Sequence, residues 1–590
     1  SVGERQENEV RFQGKLAYKP NPDMKLTAEV LRNRSDSDRY YHIWSREGYV
    51  QTFRTITDTK DVVVRRGRWS PTQLDSTYEY YNAADHTPDY RNRFSQAKLV
   101  WNHTLDASTF YTIKLNRNAF FADARVRGKE AWEYEGERER DFWFNYTDNT
   151  SSDFFVTAGD FPTYSERDTK VYSVKADLTK KVRRHTFQTG IEAMYNDMIY
   201  HQVDRPYTTN PLGLIGTRTD YHYYNPEGAY YIQDRWEHEG MVLNAGLRFD
   251  VFSVGDQLDI SEVRDKVKQQ ISPRIGIAYP ISDRDVFSFH YGRYYQIPDR
   301  SYIFDNRNVF DGRVRGNPNL TNETTVSYQA AIKHLFNEVL SGQFSVYYKD
   351  IFGLLTTEER PASGAVGNVN TYINRDYASA RGFEATLTRR FANGFDFELN
   401  YGFGVATGVA SDPDAQAEQS FTYLPISEQH LDWDVRHRFS VVLTLMEMDS
   451  WRSSFIWQYE SGFPYTPYGR NTRELQPEVI NSRRLPATTS LDINVDKYYQ
   501  LWGQRFRVFL QSRNVLDSKN ITTLNPQNWP LPTGRDSNDY LIYYTETGKA
   551  GGAYVGTDVN GDGVGDWVAV NDPRVFGDPR SVRMGIAYSF

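Results

Sequence analysis

The sequence has no cysteine and no long apolar run, although it contains 590 residues. Without cysteine, a disulfide framework and thiolate metal sites are excluded. The mean hydropathy is −0.69, and no stretch approaches the roughly 18 apolar residues that a membrane helix needs. A helical membrane protein is therefore excluded. A transmembrane β-barrel is compatible with this composition, because only every second residue of its strands meets lipid.

Positive charge and catalytic motifs are also scarce. The formal net charge is −8, so nothing suggests a nucleic-acid partner, which would require a basic patch. The 11 histidines are scattered without metal-ligand spacing. No nucleophile elbow, P-loop or dinucleotide fingerprint occurs. We therefore expect that the protein is not an enzyme.

Aromatic residues, in contrast, are abundant, with 43 Tyr and 34 Phe. They suit the aromatic girdles at the two bilayer interfaces, and they would also suit a carbohydrate-binding protein. The last ten residues, 581–590, place apolar and aromatic side chains on one parity and small or polar ones on the other, as a two-faced strand does. The chain stops on Phe590, which resembles the terminal assembly signal of bacterial outer-membrane barrels.

Alternating segments recur along the whole chain, and short turns join them in pairs. The turns fall at Lys19–Asp23, Leu105–Ser108, Lys180–Arg183, Glu237–Gly240, Ile281–Arg284, Leu335–Asn337, Phe391–Gly394, Glu447–Ser450 and Leu501–Gly503. The connections between pairs are long. Short turns on one side and long loops on the other are typical of outer-membrane barrels. The sequence thus predicts an all-β, antiparallel transmembrane barrel with short periplasmic turns and long extracellular loops.

The strand count indicates that part of this barrel lies outside the sequence. Nine pairs and the final strand give 19 strands, and the stretch Tyr49–Trp69 offers one further pair, which would make 21. Closed bacterial barrels have an even number of strands, and the first strand runs into a short turn. We therefore expect an earlier strand before residue 1, unless the count is wrong by one.

Several segments are similar to TonB-dependent outer-membrane receptors, most of all to their Oar-like branch. Gly316–Thr324 resembles the family's Asn-Pro-x-Leu-x-x-Glu element, with Asn322 where proline is usual. The other resembling segments are Gly228–Trp236 with Asn244–Asp250, Ser272–Tyr279, Gly462–Pro467 and Arg513–Asp517. They cover most of the chain after about residue 220 and are specific in combination.

The resemblance implies a 22-strand barrel filled by an N-terminal plug, with a box that the TonB complex pulls on. Residues 1–590 contain neither, so the plug would be an upstream stretch or a separate polypeptide. The implied location is the outer membrane of a Gram-negative bacterium, with lipids around a multi-pass barrel. The implied function is import of a ligand that the extracellular loops capture. Siderophore, vitamin, glycan and peptide importers share this fold, so the substrate stays open.

A second hypothesis is a barrel that anchors or passes a protein partner, such as a lipoprotein, a filament or a secreted protein, without energised import. The long loops 35–93 and 518–579 offer surface for such a partner, for example a surface lipoprotein.

The long last loop, residues 515–580, carries the sharpest local motif. Its segment 558–566 reads Asp-Val-Asn-Gly-Asp-Gly-Val-Gly-Asp, like the first nine positions of a calcium loop. The predicted ligands are Asp558, Asn560, Asp562, Asp566 and the carbonyl of Val564. Position twelve is Ala569 rather than glutamate, which excludes a full EF-hand. We expect a structural calcium ion, and the alternative is a Gly/Asp-rich turn without an ion.

Tyrosine pairs in the predicted loops are candidate ligand contacts, because a rigid amphipathic ring offers contact area at low entropic cost. They equally suit an outer aromatic girdle or packing between loops. The candidates are Tyr80, Tyr81, Tyr223, Tyr224, Tyr294 and Tyr295.

Overall fold

The structure, a computed structural model, describes most of the chain. The described residues are 7–39, 47–55, 62–63, 74–135, 159–209, 215–255, 263–305, 314–361, 368–414, 428–465, 480–501, 503–521, 534–535, 541–542, 552–554, 567–569 and 577–589. The predicted calcium loop and Phe590 lie outside them, and so do the side chains of Tyr80 and Tyr81.

The described chain is almost entirely β-structure. Its first strands are β1 (Glu7–Asn21), β2 (Met24–Asp38), β3 (Glu47–Thr55), β4 (Val62–Val63), β5 (Leu74–Asn82), β6 (Pro88–Asp106), β7 (Thr109–Val126), β8 (Thr163–Val182), β9 (His185–Thr209) and β10 (Ile215–His238). The middle strands are β11 (Met241–Ser253), β12 (Val267–Pro280), β13 (Asp285–Gln296), β14 (Glu323–Leu335), β15 (Leu340–Pro361), β16 (Asn368–Ala392), β17 (Phe395–Gly408), β18 (Gln429–His430), β19 (His437–Glu447) and β20 (Trp451–Glu460). The last are β21 (Pro464–Tyr465), β22 (Arg483–Arg484), β23 (Thr488–Leu501), β24 (Gln504–Arg513), β25 (Gly534–Arg535), β26 (Leu541–Ile542), β27 (Gly552–Tyr554), β28 (Trp567–Ala569) and β29 (Ser581–Ser589). One short α-helix, α1 (Arg300–Phe304), begins after the capping side chain of Asp299.

Twenty of the described strands belong to one large antiparallel sheet. One of the twenty, β18, has only two residues, and the others are long. The count of 19 long strands expected from the sequence is therefore confirmed. The further pair expected within Tyr49–Trp69 is wrong as a barrel element, because β3 pairs with β4 and β5 in a separate three-stranded sheet.

Each short turn predicted from the sequence joins two strands of the large sheet. Local chemistry explains two of them directly. Asn393 and Gly394 have φ angles of 53° and 86°, and Glu239 and Gly240 have 47° and 81°. Two successive residues with positive φ form a type I′ turn, whose twist matches that of the flanking strands.

By compactness the chain forms two units, which are described separately. The first unit comprises Ser1–Gln233, Arg248–Ile271 and Asp299–Asn319, and the second comprises Asp234–Leu247, Ser272–Pro298 and Leu320–Phe590. In the first unit, β1, β2, β6, β7, β8 and β9 pair in this order. In the second unit, neighbours pair in chain order from β12 to β17, followed by β19, β20, β23, β24 and β29.

The two faces of the sheet differ in polarity, and the apolar face is exposed rather than covered by other elements. On β29, Val582, Met584 and Ile586 are 59%, 75% and 73% exposed. Many apolar residues on the same face of other strands, such as Leu99, Leu115 and Val174, are also exposed. A continuous apolar surface of this kind does not suit water, whereas an outward apolar band suits lipid. The described helices include none that is both long and apolar enough to cross a bilayer.

Candidate ligand-binding site

Beyond the ends of β7 and β8 the first unit builds a small core of its own. Its members are Val126, Ala131, Tyr134, Tyr164 and Val203, all nearly inaccessible, with Phe161 packed against them. The backbone N–H of Val126 donates to the Tyr134 hydroxyl at 3.0 Å. The short turns mark the periplasmic side of such a sheet, so this core, which we call the extracellular cap, lies at the opposite end of the strands.

A buried carboxylate holds the cap together. Asp160 is fully buried and accepts hydrogen bonds from Lys129 Nζ at 2.9 Å and from the backbone N–H of Glu135 at 2.6 Å. His86 Nδ1 lies 2.9 Å from its other oxygen. Burial acts to raise the pKa of Asp160, but the hydrogen bonds from His86, Glu135 and Lys129 outweigh it and lower this pKa below its ordinary value. The charged Asp160 side chain therefore links its own segment of the cap to the segments that contain His86 and Lys129.

The alternation of β10 sends Tyr223 and Tyr224 to opposite faces. Tyr223 is 1% exposed and stacks on Phe304 of α1, with ring centroids 4.4 Å apart. Tyr221 lies 6.0 Å from the same ring. Tyr224 is exposed and lies 4.4 Å from the ring of His222. The structure thus gives Tyr223 a packing role, because Phe304 covers the ring that a ligand would need.

In the second unit, Tyr294 lies on the polar face of β13. Its ring is exposed, and the Arg274 guanidinium lies 4.7 Å from the ring centroid. Its neighbour Tyr295 leaves the strand on the other side, where Arg293 lies 5.0 Å from its ring. Of the predicted tyrosines with described side chains, Tyr294 has the position best suited to a ligand in the interior of a barrel. The ligand role of these tyrosines stays a prediction.

The second unit also contains a polar cavity of about 470 Å³, which we call the polar pocket. Side chains on the polar parity of five strands line it, among them Glu384 and Thr386 of β16, Asn400 of β17, Arg438 of β19 and Glu460 of β20, with Asn520 from the segment after β24. Its size is typical of small-ligand sites. The alternation around Glu384 places this residue on the polar face of β16, but no sequence pattern indicates that a pocket forms there.

The walls of the polar pocket are held by hydrogen bonds among their own side chains. Thr386 donates to Asn400 at 2.9 Å, and Arg438 lies 3.6 Å from Glu460. Asn520 both accepts from and donates to the backbone of Thr489, at 2.9 Å each. The pocket thus offers donors, acceptors and charges of both signs. Such a set recognises a polar organic solute that forms several hydrogen bonds.

A buried aspartate organises the chain between β17 and β23. Asp434 is 1% exposed and accepts from the backbone N–H of Ala406 at 2.9 Å and from Arg436 Nε at 3.0 Å. Arg484 donates to the same carboxylate. The pKa of His430 is lowered below its ordinary value, mainly because the imidazole is partly buried and also because the positive charge of Arg436 lies nearby. The sequence signal for this arrangement is the mixed-charge run 432–438, which leads into β19.

Within the described residues, no group of three or more histidine, aspartate or glutamate side chains is arranged to hold a metal ion. The calcium prediction concerns residues that the structure does not describe.

Comparison with known proteins connects this architecture to one family. The family model described as TonB dependent receptor-like, beta-barrel matches residues 18–515. No curated protein matches the chain with significant similarity.

Solved structures share the fold at low sequence identity. The FrpB iron transporter from Neisseria meningitidis (F3-3 variant) is 10% identical with a TM-score of 0.56, covering 98% of this chain and 71% of its own. The ferripyoverdine receptor of the outer membrane of Pseudomonas aeruginosa is 13% identical with a TM-score of 0.57, and the match covers 89% of this chain and 63% of the receptor. The ferric-catecholate import receptor Fiu from K12 E. coli is 12% identical with a TM-score of 0.54, covering 89% and 73%. At these identities the likeness shows the fold alone.

Proposed function

Because the chain belongs to the TonB dependent receptor-like β-barrel family, we propose that it binds a polar solute and imports it across the outer membrane. The family consists of outer-membrane transporters, so the chain is a transport barrel and not an enzyme. The barrel fold and the outer-membrane location expected from the sequence are thereby confirmed. The apolar face of the sheet meets lipid, and the polar face lines the lumen.

The observation that carries the proposal is the polar pocket on the lumen-facing side of β16, β17, β19, β20 and β23. A solute that passes along the lumen meets this wall, and its charged groups Glu384, Arg438 and Glu460 can orient it. The long loops would make the first contact with the solute, and the pocket would hold it on the lumen-facing wall. The relatives named for iron and ferripyoverdine make a metal chelate, recognised through its organic part, one candidate of this class.

Energised import requires the TonB complex, which in this family acts through a plug. We propose that a plug segment, joined upstream or supplied as a separate polypeptide, fills the lumen and contacts the polar face of the sheet. Mass spectrometry of the protein purified from native outer membranes would detect this segment. Its absence from both the chain and the co-purifying proteins would contradict energised import.

Solute depletion tests the function directly. Cells that carry the wild-type gene, no gene or the variant E384Q/R438Q would be grown in complex medium, and untargeted mass spectrometry would measure the loss of each solute. We expect that the wild type depletes at least one polar solute in a TonB-dependent manner, and that E384Q/R438Q slows this depletion at least tenfold. Arg507→Gln is the matched control, since Arg507 is a lumen-side cation outside the pocket, 3.6 Å from Asp496. Equal depletion by all strains would refute import.

A further inference from the structure

An apolar groove of about 480 Å³ crosses the lipid-facing side of the first unit. It runs over β2, β6, β7 and β8, and its apolar lining includes Ala28, Val30, Leu99, Leu115 and Val174. The side chain of Ala28 is smaller than those of the neighbouring Val30 and Leu99, so the surface is recessed at this position rather than flat. We call this recess the acyl groove, because its width across four strands and its apolar lining suit a hydrocarbon chain.

Three arginines stand at the extracellular end of the acyl groove, on the same lipid-facing parity. The register pairs Val30 with Ala97 and Ala97 with Arg117. Two residues further along each strand, away from the short turns, Arg32 pairs with Ser95 and Ser95 pairs with Ala119.

After two more residues on each strand, Arg34 pairs with Arg93. Arg32, Arg93 and Arg117 therefore surround a floor of small side chains, Ser95, Ala97 and Ala119. We call these three arginines the arginine triad.

The height of the triad in the membrane follows from the strand geometry. Arg117 comes eight residues after Thr109, the start of β7. At about 3.3 Å per residue and a tilt of about 45°, this places Arg117 roughly 19 Å above the periplasmic end of the strand. The apolar band of a barrel is about 25 Å tall. The triad therefore lies close to the outer interface, within reach of lipid headgroups.

The neighbouring charges of this face are already neutralised, but those of the triad are not. Arg34 pairs with Asp36 at 2.6 Å, and Lys170 pairs with Asp168 at 2.9 Å. In the part of the chain that the structure describes, no carboxylate lies within ion-pair distance of Arg32, Arg93 or Arg117. The guanidinium of Arg93 lies 5.9 Å from the centroid of the Phe121 ring, and that of Arg117 lies 5.8 Å from the centroid of the Tyr172 ring. Three uncompensated cations at an interface favour an anion from outside the protein.

We propose that the arginine triad and the acyl groove form one binding site for a phosphorylated lipid of the outer leaflet. Guanidinium groups bind phosphate oxygens in a bidentate manner, and the small floor leaves room for the headgroup between them. One acyl chain of the same lipid lies along Ala28, Leu99 and Leu115. The bound lipid covers the outer end of β2, β6 and β7, directly below the extracellular cap.

The test measures lipid binding to the purified full-length protein in detergent micelles by native mass spectrometry. The probes are diphosphoryl lipid A, the same lipid with both phosphates removed, and inorganic phosphate. The variant R32Q/R93Q/R117Q removes the triad. The control R11Q/K25Q/K114Q removes three cations of β1, β2 and β7 on the lumen-facing parity. Heat-dependent migration in gel electrophoresis shows that each variant is folded.

We expect that diphosphoryl lipid A binds the wild type, and that the triad variant loses about a hundredfold in affinity, given roughly a fivefold effect for each basic residue near a charged membrane surface. The control should stay within about twofold. Ala28→Trp, which fills the groove below the triad and leaves the floor between the arginines unchanged, should weaken lipid A binding and leave inorganic phosphate unaffected.

Equal binding of the dephosphorylated lipid, or lipid A binding that survives R32Q/R93Q/R117Q, would overturn the proposal. Inorganic phosphate binding as tight as lipid A would also overturn it, because the groove would then contribute nothing.

Discussion

Replacing Asp160 by Asn should loosen the extracellular cap while the rest of the sheet stays folded. Each partner of this carboxylate is placed to donate to it: Lys129 reaches both oxygens, at 2.9 and 3.2 Å, and the Glu135 N–H reaches one of them at 2.6 Å. An amide in either orientation would set an NH2 group against at least one of these donors. The substitution keeps the volume of the side chain and removes its charge.

The expected cost follows from burial. Asp160 has no exposed side-chain surface, whereas Lys129 and His86 are 27% and 24% exposed. Breaking a fully buried pair costs about 3–5 kcal/mol, and the partial exposure of the two cations favours the lower end, about 3 kcal/mol. At about 1.4 kcal/mol per factor of ten, local opening of the cap becomes about a hundredfold more frequent.

Amide hydrogen exchange measures this opening directly, because the N–H of Glu135 is itself bonded to Asp160. We expect exchange at Glu135 to accelerate about a hundredfold in D160N, since exchange follows the population of the open state. Asp85→Asn is the matched control. Asp85 also pairs with a basic residue of the cap, Arg127, but it is 52% exposed, and such surface pairs contribute only about 0–1 kcal/mol.

Exchange at Glu135 that changes less than threefold in D160N, or equally in D160N and D85N, would refute the role of Asp160 as the tie of the cap. Exchange in β12 to β16 of the second unit serves as an internal reference and should not change.

Three further predictions concern acid, the membrane and calcium. The pKa of Asp160 is lowered in the folded protein, so its stabilising effect is complete above the ordinary aspartate pKa of about 3.9 and is lost as the pH falls below it. The exchange rate of the Glu135 amide, divided by its intrinsic rate at the same pH, should therefore rise below about pH 4 in the wild type and show no such step in D160N. Ile113→Arg places a charge on the lipid-facing parity near mid-membrane and should destabilise the folded barrel by about 2–4 kcal/mol, measured by urea unfolding in liposomes, with the neighbouring polar-face change Thr112→Arg as the control that should cost less. If the segment 558–566 binds calcium, millimolar Ca²⁺ should slow proteolysis of loop 515–580 at least fivefold in the wild type and not in D558N/D562N, and equal protection of both proteins would contradict the site.

The pattern of side chains along the sequence determined the strands, their pairing order and the face that each residue occupies. Alternation has a period of two residues, and a turn such as Asn393-Gly394 acts over two residues, so both signals are local and can be read directly. The same alternation separated the exposed Val582, Met584 and Ile586 from their polar neighbours. The calcium motif and the role of Phe590 stay predictions.

Only the tertiary structure decided which polar and aromatic groups meet beyond the strands. Asp160 lies 74 positions from His86, and Asp434 lies 50 positions from Arg484. These four residues lie outside the long strands, where the sequence has no periodic pattern, so the sequence does not indicate how far apart they are in space. For the same reason the sequence predicts Tyr223 in an exposed loop, whereas in the structure it lies in β10 and Phe304 stacks on its ring. The polar pocket and the arginine triad arise likewise, because the register of several strands brings distant side chains onto one surface.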